Sequence, residues 1–312
     1  MKIVFFGNAD FGSKTLGSLA ISDNHEVVAV VTNKDKRVGR NKKLVSTPIK
    51  KTALDKKIPI FEVDNINDDT FLDNIKSLKA DIFIVIAYKI IPEKIYSMPR
   101  CGAINLHASL LPEYRGAAPI QRCLIENRSR TGLSSFFIDN SIDRGKLIYQ
   151  KKIKVLPNDT FYDLWKKLSS EGPSFIMESL RLIERNKVKL IDENLMPSYA
   201  PKIDKKELLI DWEESAEKIF HKVRAFSPIP CMYTKFLKKR VKIISVNIVK
   251  DKNIRNFKPG EIRVLNNKLL VGCKDNLIEV VKLRPEAKSI LSGKEFINGF
   301  LNKKQNKIIF FN

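Results

Sequence analysis

The chain has 312 residues, with 57 Lys or Arg against 35 Asp or Glu and a formal net charge of +22. That length allows two domains and a sizeable core, while four scattered cysteines (Cys101, Cys123, Cys231, Cys273) without CxxC spacing argue against a zinc site or a disulfide framework and for a reduced, cytoplasmic protein. No apolar run reaches membrane-spanning length, and the positive charge points to a polyanionic partner; because Lys is abundant throughout, the location of the charge must carry that reading.

Residues 2–6 read as a short apolar strand, followed by Gly7-Asn8-Ala9-Asp10-Phe11-Gly12 and a helical stretch to residue 19. Strand, glycine turn and helix open a doubly wound α/β domain. The glycines do not make a P-loop, since Ser13 separates Gly12 from Lys14, and they do not match GxGxxG. Residues 25–32 give a second strand, with His25 read as a solvated turn histidine. Residues 33–44 hold six bases (Lys34, Lys36, Arg37, Arg40, Lys42, Lys43) and one acid, Asp35, without apolar periodicity, which predicts a flexible basic loop. Loops after strands of an open α/β sheet rim the ligand crevice. A helix is expected at 49–57, a strand at 58–61 and a helix at 68–79. The near-continuous apolar run 81–87 predicts a central parallel strand covered on both faces.

The chemistry concentrates in residues 101–121, CGAINLHASLLPEYRGAAPIQ. In an extended backbone positions i and i+2 share a face, so Asn105 and His107 project together from a strand end. A carboxamide that donates to a developing oxyanion, beside an imidazole that moves a proton near neutral pH, suits acyl transfer. Asn105-Leu106-His107-Ala108-Ser109-Leu110-Leu111-Pro112 resembles the signature of the 10-formyltetrahydrofolate-dependent formyltransferase family. Arg115-Gly116-Ala117-Ala118-Pro119-Ile120-Gln121 is similar to the branch that formylates methionyl-tRNA. The resemblance runs almost end to end. It implies Asn105, His107 and Asp143 as catalytic residues, and Ser109, Leu110, Leu111 and Pro112 as folate-positioning residues. Arg40, Lys42 and Lys43, in the basic loop, become tRNA contacts on the same ground. It also implies 10-formyltetrahydrofolate as co-substrate, initiator methionyl-tRNA as partner, and a monomer. No metal is expected, because the three histidines are scattered.

Residues 131–150 form the second chemical segment. Residues 136–138 read as a buried strand, followed by Asp139, Asn140 and Asp143 and a turn at Gly145. Ile142-Asp143-Arg144-Gly145 resembles the family's Asp-x-Gly turn, although Lys146 stands where many relatives carry an acid. Phe161, Leu164, Trp165 and Leu168 fall at helical spacing, and Pro173 is expected to start a further helix. Residues 197–201 read as an interdomain linker. A helix is expected at 216–226, with His221 exposed or facing phosphate. Five short alternating segments follow: 232–236, 241–249, 260–265, 269–272 and 277–283. They predict a small barrel of OB type. Between residues 218 and 258, twelve Lys or Arg face one acid, Asp251, the pattern of a phosphate-backbone surface.

The expected fold class is therefore α/β: a Rossmann-like doubly wound formyltransferase domain with a C-terminal OB-like β-barrel. The expected boundaries are 1–189 for the folate-binding catalytic domain, 190–206 for a linker and 207–312 for a tRNA-binding domain. Three other functions share some of these features. A formyltransferase acting on a small amine, or a formyl-tetrahydrofolate hydrolase, would use the same three polar residues. A non-catalytic tRNA-binding protein would account for the charge but not for those residues.

Overall fold

Apolar residues without polar interruption build the first strands, because a parallel strand covered on both faces excludes water from every position. In the computed structural model, β1 (Lys2–Gly7) has Ile3, Val4, Phe5 and Phe6 fully buried, each contributing roughly 1.5–3 kcal/mol of apolar burial. The structure describes residues 1–39, 43–140, 143–188, 196–249, 257–301 and 309–311. The chain divides into two compact units. One comprises Met1–Pro119, Arg130–Lys154 and Trp165–Ala200, and the other Ile120–Ser129, Val155–Leu164 and Pro201–Asn312.

In the first unit β1 is followed by α1 (Ser13–Leu19), β2 (Glu26–Thr32), the short strands β3 (Lys36–Val38) and β4 (Lys43–Val45), α2 (Pro48–Asp55), β5 (Ile60–Glu62), α3 (Asp69–Ser77), β6 (Ile82–Ile86), α4 (Glu93–Tyr96) and β7 (Ala103–His107). After α5 (Pro119–Ile125), β8 (Arg130–Phe137) and β9 (Leu147–Lys154) complete a seven-stranded sheet of order β5-β2-β1-β6-β7-β8-β9. Strands β5 to β7 in that order are parallel, and β8 runs antiparallel to β7 and β9. The chain winds outward from β1 through β2 to β5, then returns to β6 on the other side. An open α/β sheet forms its ligand crevice where the winding reverses, at the carboxyl ends of β1 and β6. Side-chain caps start the helices: Thr47 accepts from the Lys50 amide before α2, and Asp68 from the Phe71 amide before α3.

Several local expectations change. In place of a flexible loop at 33–44, β3 and β4 pair antiparallel, Arg37 opposite Leu44. All three residues of β4 are exposed, so no buried face writes a period into the sequence. Helix α6 (Phe161–Glu184) runs straight through Pro173. The missing amide costs about 3 kcal/mol, yet Leu168, Phe175, Ile176 and Leu180 on its two sides are all buried, and that stripe offsets the loss. His25 is buried, not solvated; burial is the main cause that lowers its pKa.

In the second unit α7 (Ala216–Phe226) is capped by Ser215, whose side chain accepts from the Lys218 amide. Strands β10 (Met232–Phe236), β11 (Lys239–Val249), β12 (Glu261–Leu265), β13 (Lys268–Gly272), β14 (Leu277–Pro285), β15 (Leu291–Ser292) and β16 (Ile309–Phe310), with α8 (Gly293–Phe296) before β16, make a nearly closed antiparallel barrel of OB-like form. The strand order is β10-β11-β14-β13-β12-β16, with β15 on β14. Its core holds Ile219, Val223 and Phe226 of α7 with Trp212, Phe236, Phe296 and Phe311. Trp212 stacks on Phe311 at 6.0 Å.

Candidate active site

Strand β7 places the two residues singled out by spacing. Asn105 lies opposite Val85 of β6 and Phe136 of β8. His107, two residues on, extends past the end of β6 and lies opposite Ser134. Asn105 is half-buried, and its carboxamide has no hydrogen-bond partner among the described residues. His107 is only 7% exposed.

Both ring nitrogens of His107 face acceptors. Nε2 lies 2.9 Å from the Tyr114 carbonyl, and Nδ1 lies 3.7 Å from Oδ2 of Asp143. A neutral imidazole offers one donor and one lone pair. A carbonyl only accepts, so Nε2 donates to Tyr114, and Nδ1 is left facing the Asp143 carboxylate beyond hydrogen-bond distance. Asp143 is in turn held by the Gly116 amide, which donates to Oδ2 at 2.8 Å. The structure thus brings His107 and Asp143 together, with Asn105 two residues before His107 on the same strand.

The backbone on which the pair rests is strained. Tyr114 has φ 58° and Asp143 φ 52°, a region that costs non-glycine residues on the order of 1 kcal/mol and recurs at functional sites. Two glycines make the corner possible. A Cβ on Gly145 would sit 1.6 Å from the Phe137 carbonyl oxygen, and one on Gly116, at φ 120°, would sit 2.7 Å from that of Ala200.

The segment after His107 is tied inward. Ser109 donates from Oγ to the Glu113 carbonyl at 2.6 Å, and its own carbonyl accepts from Ser134 Oγ at 2.7 Å. Gln150 donates to the Leu111 carbonyl at 2.7 Å and to Ser134 Oγ at 2.9 Å. Ser109, Leu111 and Pro112 are buried and Leu110 is half-buried, so the first three shape the loop from within. Ser134 and Gln150, which hold that loop, carried no motif; only their place on β8 and β9 identifies them. At the rim of the crevice Tyr88 packs edge-on against Phe6 at 5.7 Å. Its hydroxyl is buried without a partner among the described residues, and burial pushes its pKa up to about 12.

Of the basic loop, Lys43 is an exposed residue of β4, whereas Arg40 and Lys42 lie outside the described residues. The basic stretch 218–258 is not uniformly a surface. Arg224 is buried and donates to the carbonyls of Leu156, Pro157, Asp159 and Leu124 and to Asn127. His221 is buried too, contrary to the exposed position expected, because Arg224 Nε donates to its Nδ1 at 3.1 Å. Lys218 and Lys222 both pair with Glu214. Besides the ion-paired Lys218, the exposed bases are Lys235, Lys238, Lys239 and Arg240 on the β10–β11 hairpin, and Lys258; Lys250, Lys252 and Arg255 lie outside the described residues.

A cleft of about 600 Å³ opens at the amino ends of the strands and is lined by Lys2, His25, Lys57 and Asp81. It is at the opposite end of the sheet from His107. Among the described residues no group of three or more His, Cys, Asp or Glu could hold a metal ion, and no helix is long and apolar enough to cross a membrane.

Residues 1–180 match the family model described as formyl transferase, and residues 202–301 match that of the formyl transferase C-terminal domain. A relative named methionyl-tRNA formyltransferase from Thermodesulfovibrio yellowstonii is 39% identical over 95% of both chains. Relatives of the same name from Sulfurihydrogenibium and Fusobacterium nucleatum are 41% identical over 84% of both chains, and 33% identical over 99% of this chain and 100% of theirs. Among solved structures, an N-formyltransferase from Helicobacter canadensis with folinic acid and dTDP-3-aminofucose has a TM-score of 0.65 at 20% identity, covering 90% of this chain and 98% of that one. HypX from Aquifex aeolicus in complex with tetrahydrofolic acid has a TM-score of 0.65 at 16% identity; this chain spans 50% of its length. Those two likenesses are of fold.

Proposed function

Since the chain belongs to the formyl transferase family, we propose that it transfers the formyl group of 10-formyltetrahydrofolate to the α-amino group of initiator methionyl-tRNA, as a cytoplasmic monomer serving translation initiation. The observation that carries this reading is similarity over nearly the full length, both domains included, to relatives that all bear the same name. An enzyme for small amines has no use for the exposed bases of the β10–β11 hairpin.

The geometry supports a division of labour. The free amine, with a pKa of about 8, attacks the formyl carbon, and a tetrahedral oxyanion forms. Asn105, with its carboxamide unengaged, donates to that oxygen. His107 takes the proton that the attacking nitrogen loses and delivers it to N10 of the departing folate. Asp143, within ion-pair reach of Nδ1, orients the ring and stabilises its doubly protonated form. The folate occupies the crevice at the carboxyl ends of β1 and β6, with residues 109–112 after β7 positioning it. No step in this scheme requires a metal. Lys43, with Arg40 and Lys42, contacts the tRNA.

The test is formyl transfer from 10-formyltetrahydrofolate to charged initiator tRNA, beside free methionine, an amino sugar and no acceptor. Transfer to the charged tRNA alone is expected. Folate turnover that ignores the tRNA would overturn the assignment in favour of a hydrolase or a small-amine enzyme.

A further inference from the structure

The short segment 114–116 has two edges with different duties. Its outer edge pairs with residues 198–200 as a parallel bridge between Arg115 and Tyr199. The Arg115 amide donates to the Ser198 carbonyl at 2.9 Å, and the Ala200 amide donates to the Arg115 carbonyl at 2.7 Å. In such pairing the groups of the neighbouring residues point the other way. Those groups are the Tyr114 carbonyl and the Gly116 amide, which face His107 and Asp143. Three further bonds tie the same strap to the corner. The Tyr114 amide donates to Ser198 Oγ at 2.9 Å, the Ala118 amide to the Ala200 carbonyl at 3.1 Å, and Arg144 Nη2, next to Asp143, to the Tyr199 hydroxyl at 3.1 Å. Ala200 is fully buried, yet Tyr199 is 59% exposed, so apolar burial does not explain why the tyrosine is held there.

We propose that residues 198–200, a stretch whose composition reads as linker, are a positioning strap for the His107–Asp143 pair. The strap sets the Tyr114 carbonyl against Nε2 of His107 and the Gly116 amide against Asp143, and Tyr199 clips the turn that carries Asp143. Left-handed backbone at Tyr114 and Asp143 persists only where surroundings over-determine it, and the strap is what over-determines both. The inference rests on the catalytic role assigned above to His107 and Asp143.

The test compares wild type with Ser198→Ala, Tyr199→Phe, the double variant and Ser198→Thr, which keeps the hydroxyl. Two quantities are read: kcat and KM for transfer to charged tRNA, and the ring ¹⁵N signals of His107 at one pH, assigned by the His107→Gln variant. The double variant is expected to lose roughly 10- to 100-fold in kcat, with KM changed less than about two-fold. Its His107 signals move while those of His25 and His221 stay, and Ser198→Thr behaves as wild type. An unchanged kcat, or a lower kcat with unmoved His107 signals, would overturn the strap. Should wild type fail to formylate charged tRNA, the functional assignment falls, and the ring signals alone judge the strap.

Discussion

Two buried histidines, one in each unit, invite comparison. His107 is 7% exposed with a carboxylate oxygen 3.7 Å away; His221 is 8% exposed with one, on Glu217, 3.6 Å away. By burial they are alike, but the side chain of Glu217 is 70% exposed and that of Asp143 only 13%. Their second neighbours differ. His107 meets a carbonyl, another acceptor, while His221 meets the guanidinium of Arg224, which only donates. The lone pair of His221 is therefore fixed on Nδ1, and burial followed by the Arg224 charge holds its pKa below the ordinary 6.5. The second ring serves Arg224 as a structural acceptor, and the first donates to a carbonyl and faces a buried carboxylate. Depth alone therefore does not set a histidine's use: the two rings differ in the polarity of the second neighbour and in the burial of the acid.

The comparison breaks most visibly in activity. His107→Ala is expected to lower kcat/KM by roughly 10²- to 10⁴-fold, and His221→Ala to change it less than about two-fold once the fraction folded is corrected for. Equal losses would mean that the two sites do the same work. Next comes Arg224→Ala, which removes a donor from four carbonyls, of which those of Leu156 and Leu124 keep a backbone amide, and from His221. Urea unfolding should show a loss of about 3 kcal/mol; a loss below about 1 kcal/mol would show that Arg224 is not what holds that ring. The exposed hairpin gives a smaller effect of another kind. Replacing Lys238, Lys239 and Arg240 by Ala should raise KM for charged tRNA on the order of ten-fold with kcat unchanged. The slope of log affinity against log salt should flatten by roughly 0.9 for each phosphate that is no longer neutralised. A salt slope equal to wild type would remove the hairpin from the tRNA surface.

The smallest effect sharpens the comparison through pH. The pKa of folded His221 lies below that of the unfolded chain. As pH falls below about 6.5 the unfolded state takes up a proton that the folded ring refuses, so stability declines, at no more than about 1.4 kcal/mol per pH unit. His221→Gln should flatten that decline between pH 6.5 and the lower folded value, measured by denaturant midpoints across the series. His25 is lowered in the same direction and leaves a residual slope, so only the difference between the two proteins counts.

How much of this was legible varies by element. The strand at 232–236 and the helix at 216–226 were readable to the residue, because alternation and an amphipathic stripe with a serine cap are local signals. The left-handed turn at Asp143 was half legible: Gly145 marked it, but the reason for that glycine is the Phe137 carbonyl that a Cβ would strike. Pro173 misled, since a proline's local cost is known from sequence and the burial that outweighs it is not. The basic run 218–258 misled in part, because counting charges does not show that Arg224 points into carbonyls.

What the sequence determined by itself is the two-domain α/β-then-barrel class, the Asn105 and His107 spacing on one strand face, and the family to which that string belongs. These depend on residue type and short separations. Tertiary structure alone decided what each of those side chains meets. The partners of His107 include a backbone carbonyl, which every residue possesses and no residue type announces. The strap reaches Tyr114 from 84 residues away, through backbone amides and carbonyls that leave no period, motif or charge in the chain. Packing brings such groups together, and so the neighbours of His107 were set by the fold.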